Sequence, residues 1–313
     1  MPETPDASPD SDPDGGPVPD SDEGSEKGSG KGVGSGPGSG SAEGSADGTD
    51  NGPDDDAGSG PDALPASPES IVTEAVLNVA GRVTLPFQAA RADQNFGTAF
   101  WYNDLVEVAD GRETIRQYLV TAEPQTRFQL GQFTLRDGLV RPELPADELV
   151  LPSFAKKWYR LDDLGVAAMP TNELHLHGER KGWSWAVQEV TAGLAARPED
   201  IESLGAGPTP AYVLGHEVTE PESRHPGRPQ TLLSGTVSRS PEGLVTWSDP
   251  LPRGCAGAPV FAGLPHGDHE TKLVCLGLVL PGDPARVVTF DKLRPALHTL
   301  SPPRTRHWWQ RRG

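Results

Sequence analysis

Between about residue 71 and residue 300, short apolar runs alternate with Gly, Pro, Asp and Asn. The runs are Val76 to Val83, Thr98 to Tyr102, Ile115 to Thr121, Arg127 to Phe133 and Leu135 to Val140. Further on come Trp183 to Val190, Ala211 to Leu214, Leu232 to Val237, Leu244 to Trp247, Ala258 to Phe261, Lys272 to Val279 and Arg286 to Phe290. They are rich in Val, Leu, Thr and aromatics, and their spacing predicts the strands of an all-β sandwich or barrel. Two stretches depart from this pattern. Pro198 to Glu202 opens with a proline followed by acids, which suits a first helical turn. In Phe290 to Leu300, Asp291 can cap a helix on which Leu293, Leu297 and Leu300 fall at helical spacing. There are no heptads and no long internal repeat.

Composition changes this picture at one place. Of the net charge of −18, −14 falls in residues 1–68, which hold 16 acids, 2 lysines and no Phe, Trp or Tyr. Such a segment buries too little apolar surface to offset its ordering entropy, so residues 1–68 are expected to be a disordered acidic tail. Residues 69–302 are long enough for one two-lobed domain, and residues 303–313 form a basic tail carrying Trp308 and Trp309. The acidity argues against nucleic acid as a partner. No apolar run approaches the roughly 20 residues of a membrane span. Met1-Pro2-Glu3-Thr4-Pro5-Asp6 lacks the basic and apolar regions of an export signal, and there are only two cysteines, Cys255 and Cys275. The expected compartment is a reducing cytoplasm.

Residues 254–261 read Gly254-Cys255-Ala256-Gly257-Ala258-Pro259-Val260-Phe261. This resembles the Gly-x-Ser-Gly-Gly-Pro-Val nucleophile loop of trypsin-like (chymotrypsin-fold) serine peptidases. Six other segments agree in order. Phe96-Gly97-Thr98-Ala99-Phe100 is similar to the Gly-Thr/Ser-Gly-Phe strand. Tyr118-Leu119-Val120-Thr121-Ala122 is similar to the stretch before the catalytic histidine, and Asp163-Leu164-Gly165-Val166 to the aspartate segment. Ala211 to His216, Leu233 to Ser238 and Leu273 to Leu278 are similar to three strands of the second barrel. The resemblance implies two antiparallel six-stranded barrels, the first over about 71–190 and the second over about 205–300, closed by a C-terminal helix.

The family's chemistry needs a nucleophile, a base and a carboxylate that orients the base. Carried over residue by residue, these positions fall on Ala256, Pro124 and Asp163. Alanine has no nucleophilic atom, and proline cannot take its proton. The resemblance therefore implies a pseudoprotease that retains the oxyanion-like loop Gly254, Cys255, Ala256 and Gly257, beside a cleft-border strand Leu276, Gly277 and Leu278. Such a module binds a peptide or protein in the former cleft, in the intracellular bacterial signalling or defence settings where such domains occur. Two alternatives stay open. One is an active peptidase, using Cys255 as nucleophile with His216 or another imidazole as base, or with the histidine position of the first barrel lying elsewhere than Pro124. The other is a scaffold whose tails bind the partners. No cofactor and no metal is expected. His175 and His177 would share a face on a strand but have no further ligand at suitable spacing, and His266 and His269 read as a polar hairpin tip.

Overall fold

A computed structural model describes residues 68–91, 95–144, 148–219, 227–267 and 270–300. The chain divides into two units, Met1–Asp62 and Ala63–Gly313. The first lies outside the described residues, as do residues 301–313, so the expected acidic and basic tails fall there.

The second unit begins with helix α1 (Pro68–Ala80), then strands β1 (Thr84–Ala89), β2 (Gly97–Ala109) and β3 (Arg112–Ala122). A 3-10 turn (Glu123–Thr126) leads to β4 (Leu130–Thr134), β5 (Val140–Arg141), β6 (Glu148–Pro152), β7 (Tyr159–Leu161) and β8 (Val166–Pro170). Helix α2 (Asn172–Lys181), β9 (Ser184–Trp185) and the short α3 (Pro198–Glu202) connect the halves. The second half is β10 (Thr209–His216), β11 (Gln230–Arg239), β12 (Val245–Trp247), β13 (Pro259–His266), β14 (Glu270–Leu280), β15 (Ala285–Thr289) and helix α4 (Phe290–Thr299).

The second half is a closed antiparallel barrel in the order β10-β11-β12-β15-β14-β13. The first half is an antiparallel sheet of seven strands, β6-β4-β1-β2-β3-β8-β7, which leaves β6 and β7 as edges instead of closing on six strands. The all-β class and the C-terminal helix are as the sequence predicts.

Strand alternation sorts the apolar side chains into three layers. On β2, Ala99 and Trp101 turn into the first sheet's own core, with Phe87, Phe133 and Phe154. Their neighbours Phe100 and Tyr102 turn the other way, into a layer shared by both halves. On β10, Ala211 and Val213 fill the closed barrel, while Tyr212 and Leu214 enter the shared layer. That layer also receives Val76 and Ala80 of α1 and Phe290, Leu293 and Leu297 of α4. The two helices thus seal the seam between the halves.

Three local expectations change. Val76 to Val83, expected as a strand, is helical as far as Ala80. Val72, Val76 and Ala80 face the shared layer at four-residue spacing, a pattern that a short apolar run does not distinguish from a buried strand. Trp183 to Val190 contributes only the two residues of β9 and a single bridge from Val190 to Tyr102. Helix α2 was not foreseen. It carries His175 and His177, which as a helical pair point different ways: the His175 ring lies 5.8 Å from Trp101, and the His177 ring 6.0 Å from Trp183.

Candidate functional site

The loop at Gly254–Gly257 leads into β13 at the seam between the halves. Gly254 (φ 96°) and Gly257 (φ 86°) are both left-handed, a conformation that glycine adopts without Cβ strain. Space demands glycine as well. A Cβ on Gly254 would strike the His216 carbonyl, and one on Gly257 would strike the Thr121 hydroxyl and the Ala122 amide.

Hydrogen bonds fix the loop on both sides. Gly257 N donates to Val279 O at 2.8 Å, and Ala258 N to Cys255 O at 3.0 Å. Across the seam, Thr98 N donates to Ala256 O at 3.0 Å and the Thr98 hydroxyl to Gly254 O at 2.8 Å. Thr98 O accepts from the Thr121 hydroxyl at 2.8 Å, and Thr98 Oγ1 accepts from His216 N at 3.0 Å. The N–H groups of Gly254 and Ala256 form no hydrogen bond among the described residues.

Next to this junction, Glu123 N donates to Gly165 O at 2.9 Å, joining the end of β3 to the turn that precedes β8. Pro124 follows and is exposed. Asp163 is exposed too, on that turn, and forms no hydrogen bond or ion pair among the described residues. The buried carboxylate of the region is Glu123, only 2% exposed. Arg127 Nη2 reaches it at 2.7 Å and Arg160 Nε at 3.3 Å. The resemblance does not point to Glu123; only its four-residue spacing to Arg127 hints at a helical-turn ion pair.

Cys255 does not face a base. Its thiol is fully buried against Gly215, and burial, reinforced by Glu217, pushes it up to about 12. His216 is fully buried as well. Its Nδ1 lies 3.1 Å from the Arg228 carbonyl, so Nδ1 carries the proton, and Nε2 accepts from the Thr84 hydroxyl at 3.0 Å. Burial first, then the charges of Arg136 and Arg228, push the imidazole down to about 3. Both ring nitrogens are committed, which leaves His216 nothing with which to take a proton from a thiol.

Arg228 is a second unforeseen feature. It is 9% exposed, donates to Phe87 O (3.2 Å) and Gly97 O (2.9 Å), and packs over the Phe96 ring; burial pushes it down to about 10. A buried cation held by main-chain carbonyls has no sequence signature.

Leu276, Gly277 and Leu278 lie inside β14. Gly277 pairs with Val260 on one side and Thr289 on the other, and Leu278 with Pro259 and Val288. Strands paired on both sides have no edge to add a peptide to. Cys275 N donates to Leu194 O at 2.7 Å, and Ala196 N donates to Cys275 O at 2.8 Å, so the connecting segment fills the remaining side of β14 there. His266 ends β13, and His269 lies outside the described residues. Among the described residues, no group of three or more His, Cys, Asp or Glu side chains is placed to hold a metal, and no helix is long and apolar enough to cross a membrane.

No family model matches the sequence, and no curated protein matches it. Several solved structures are similar to it. The crystal structure of Deg5 shares 15% identity at a TM-score of 0.45, covering 75% of this chain and 98% of that one. A thermostable serine protease, AL20, from an extremophilic microorganism shares 13% at 0.37, covering 69% and 94%. The HtrA-type protease AlgW with tripeptide shares 12% at 0.35, covering 73% and 64%.

Proposed function

We propose that this chain is a catalytically inactive relative of the trypsin-like peptidases, one that holds a peptide or protein partner instead of cleaving it. The observation that carries this reading is Ala256 itself: a loop with both left-handed glycines in place, docked at the seam, presents a methyl group where the resemblance calls for a nucleophile. The junction supports the register of that assignment. Gly254–Gly257, Thr98 and Thr121–Ala122 come from three of the matched segments and meet through direct backbone and hydroxyl contacts; Gly165, from a fourth, accepts from the adjoining Glu123 amide. The buried, protonated Cys255 and the committed His216 speak against the thiol alternative.

Binding is read to use the loop more than the β14 strand. Among the described residues the amides of Gly254 and Ala256 have no acceptor, and such donors can take a carbonyl or carboxylate oxygen. The proposed setting is the cytoplasm, within a bacterial signalling or defence system.

The test uses the full-length chain with a fluorophosphonate probe and a library of quenched peptide substrates. No labelling and no turnover are expected. Turnover that disappears in Cys255→Ala would overturn the inactive reading. Partners captured by the full chain should also be captured after deletion of residues 1–68 and 303–313. Loss of capture on that deletion would instead make the domain a scaffold for its tails.

A further inference from the structure

β2 and β3 run on together well past the sheet that holds them. β1 pairs with β2 only from Gly97 to Phe100, and β8 with β3 only from Tyr118 to Ala122. Beyond Asp104 and Arg116, among the described residues, the two strands pair with each other alone as far as the turn at Asp110 and Gly111. A two-stranded ribbon is marginally stable in water by itself, and no described residue pairs with either of its edges there.

The ribbon has two unlike faces. Leu105 lies opposite Ile115, and Val108 opposite Glu113; because Glu113 and Ile115 are two apart, all four share one face. Val108 is 63% exposed and Ile115 49%. The ribbon is also acidic: between Leu105 and Ile115 it carries Glu107, Asp110 and Glu113 against the single cation Arg112.

The C-terminal helix delivers the chain to the root of this ribbon. His298 Nε2 lies 3.0 Å from Asp104 Oδ1, and Arg116 Nη1 donates to Leu300 O at 3.5 Å. Residues 301–313 follow directly. They contain Arg304, Arg306, Trp308, Trp309, Arg311 and Arg312 and no acidic residue. From Leu300 to Trp308 an extended chain spans up to about 28 Å. From Arg116 to Arg112 the ribbon measures only about 13 Å. Asp104 and Arg116 lie opposite each other on the α4 side of the ribbon, and Leu105 and Ile115 on the other side. The tail must therefore cross one open edge of the ribbon, and its surplus length of about 15 Å allows this.

We propose that residues 301–313 fold back along the β2–β3 ribbon, seating an indole of the Trp308–Trp309 pair on Leu105, Val108 and Ile115 and setting arginines beside Glu107, Asp110 and Glu113. The occupant matches the ribbon in both apolar character and charge, and it is tethered at the ribbon's root, one edge away from the apolar face.

Hydrogen–deuterium exchange on the full chain tests this, against the chain ending at Leu300 and against full-length Ile115→Lys. The amides of residues 105–116 should exchange at least tenfold more slowly in the full chain than in the truncated one, and Ile115→Lys should bring them to the truncated rate. Amides of the closed barrel, β10 to β15, serve as the fold control and should keep their protection in all three. Equal exchange of 105–116 in full and truncated chains would overturn the proposal. So would protection that survives truncation and grows with protein concentration, which would assign the ribbon to a second copy of the chain.

Discussion

The Thr98 hydroxyl donates to the Gly254 carbonyl at 2.8 Å, across 156 residues of sequence, and the same oxygen accepts from the His216 amide. One buried side chain thus ties β2, β10 and the 254–257 loop together. Thr98→Val keeps the shape but leaves a buried carbonyl and a buried amide without their partner. Unsatisfied buried groups cost about 1–3 kcal/mol each, and some relaxation is available to the loop. Chemical denaturation should therefore show a loss of about 2–3 kcal/mol, whereas loss within about 0.5 kcal/mol would mean that the loop is held by its other contacts.

The thiol of Cys255 offers a direct check on the environment beneath Ala256. Pushed up to about 12 by burial and by Glu217, it should be thiolate in only about one molecule in 10⁴ at pH 8. Alkylation by iodoacetamide in native buffer should be far slower than that of a free cysteine and should become fast only in denaturant. Rapid, selective reaction of Cys255 in the folded protein would require a lowered pKa and would contradict the burial described here.

How much of this was legible in the sequence varies with the kind of interaction. Strands with a turn signal at each end, such as β2, β3, β10 and β14, announce themselves by alternation. Gly254 and Gly257 do so through the backbone conformation that the loop requires. Helix α1 was hidden because Val72, Val76 and Ala80 meet a layer that only the folded chain creates. Glu123 and Arg228 were hidden for a related reason. Glu123 pairs with Arg127 four residues on but also with the distant Arg160, Arg228 is held by main-chain carbonyls, and a sequence does not reveal which carbonyls a fold leaves open. Asp163 shows the converse: its segment is recognisable, yet its carboxylate ends exposed on a turn while Glu123 takes the buried place.

Restoring the missing oxygen at the loop should not restore chemistry. Ala256 is 7% exposed and sits in a loop whose backbone is fixed from both sides, so Ala256→Ser is expected to fold with stability within about 1 kcal/mol of the parent. On the proposed assignment of Pro124 to the histidine position its hydroxyl would have no general base there, and His216 is committed to Thr84 and Arg228. A fluorophosphonate probe should leave the variant unlabelled. Labelling of Ser at 256 would mean that another group supplies the base, and the assignment of Pro124 would fail.

Buried His216 makes the fold acid-sensitive in a defined window. Its folded pKa, about 3, lies below the ordinary 6.5, so the unfolded chain binds a proton that the folded chain refuses. The stability it confers is complete above about pH 6.5 and is lost as pH falls from there toward 3. At about 1.36 kcal/mol per pH unit below 6.5, acidification from pH 7 to pH 5 should cost roughly 2 kcal/mol through this residue. His175, also lowered by burial, adds to the same slope. Asp200 acts in a more acidic window. Burial opposes its ionisation, but the Arg197 amide and Lys272 hold it below the usual carboxylate range, so its contribution is lost only beneath about pH 4. In a urea-denaturation series from pH 7 to pH 5, His216→Gln should flatten the slope to what His175 leaves. An unchanged slope would mean that the imidazole is already charged in the folded protein and that the seam tolerates a buried cation beside Arg228.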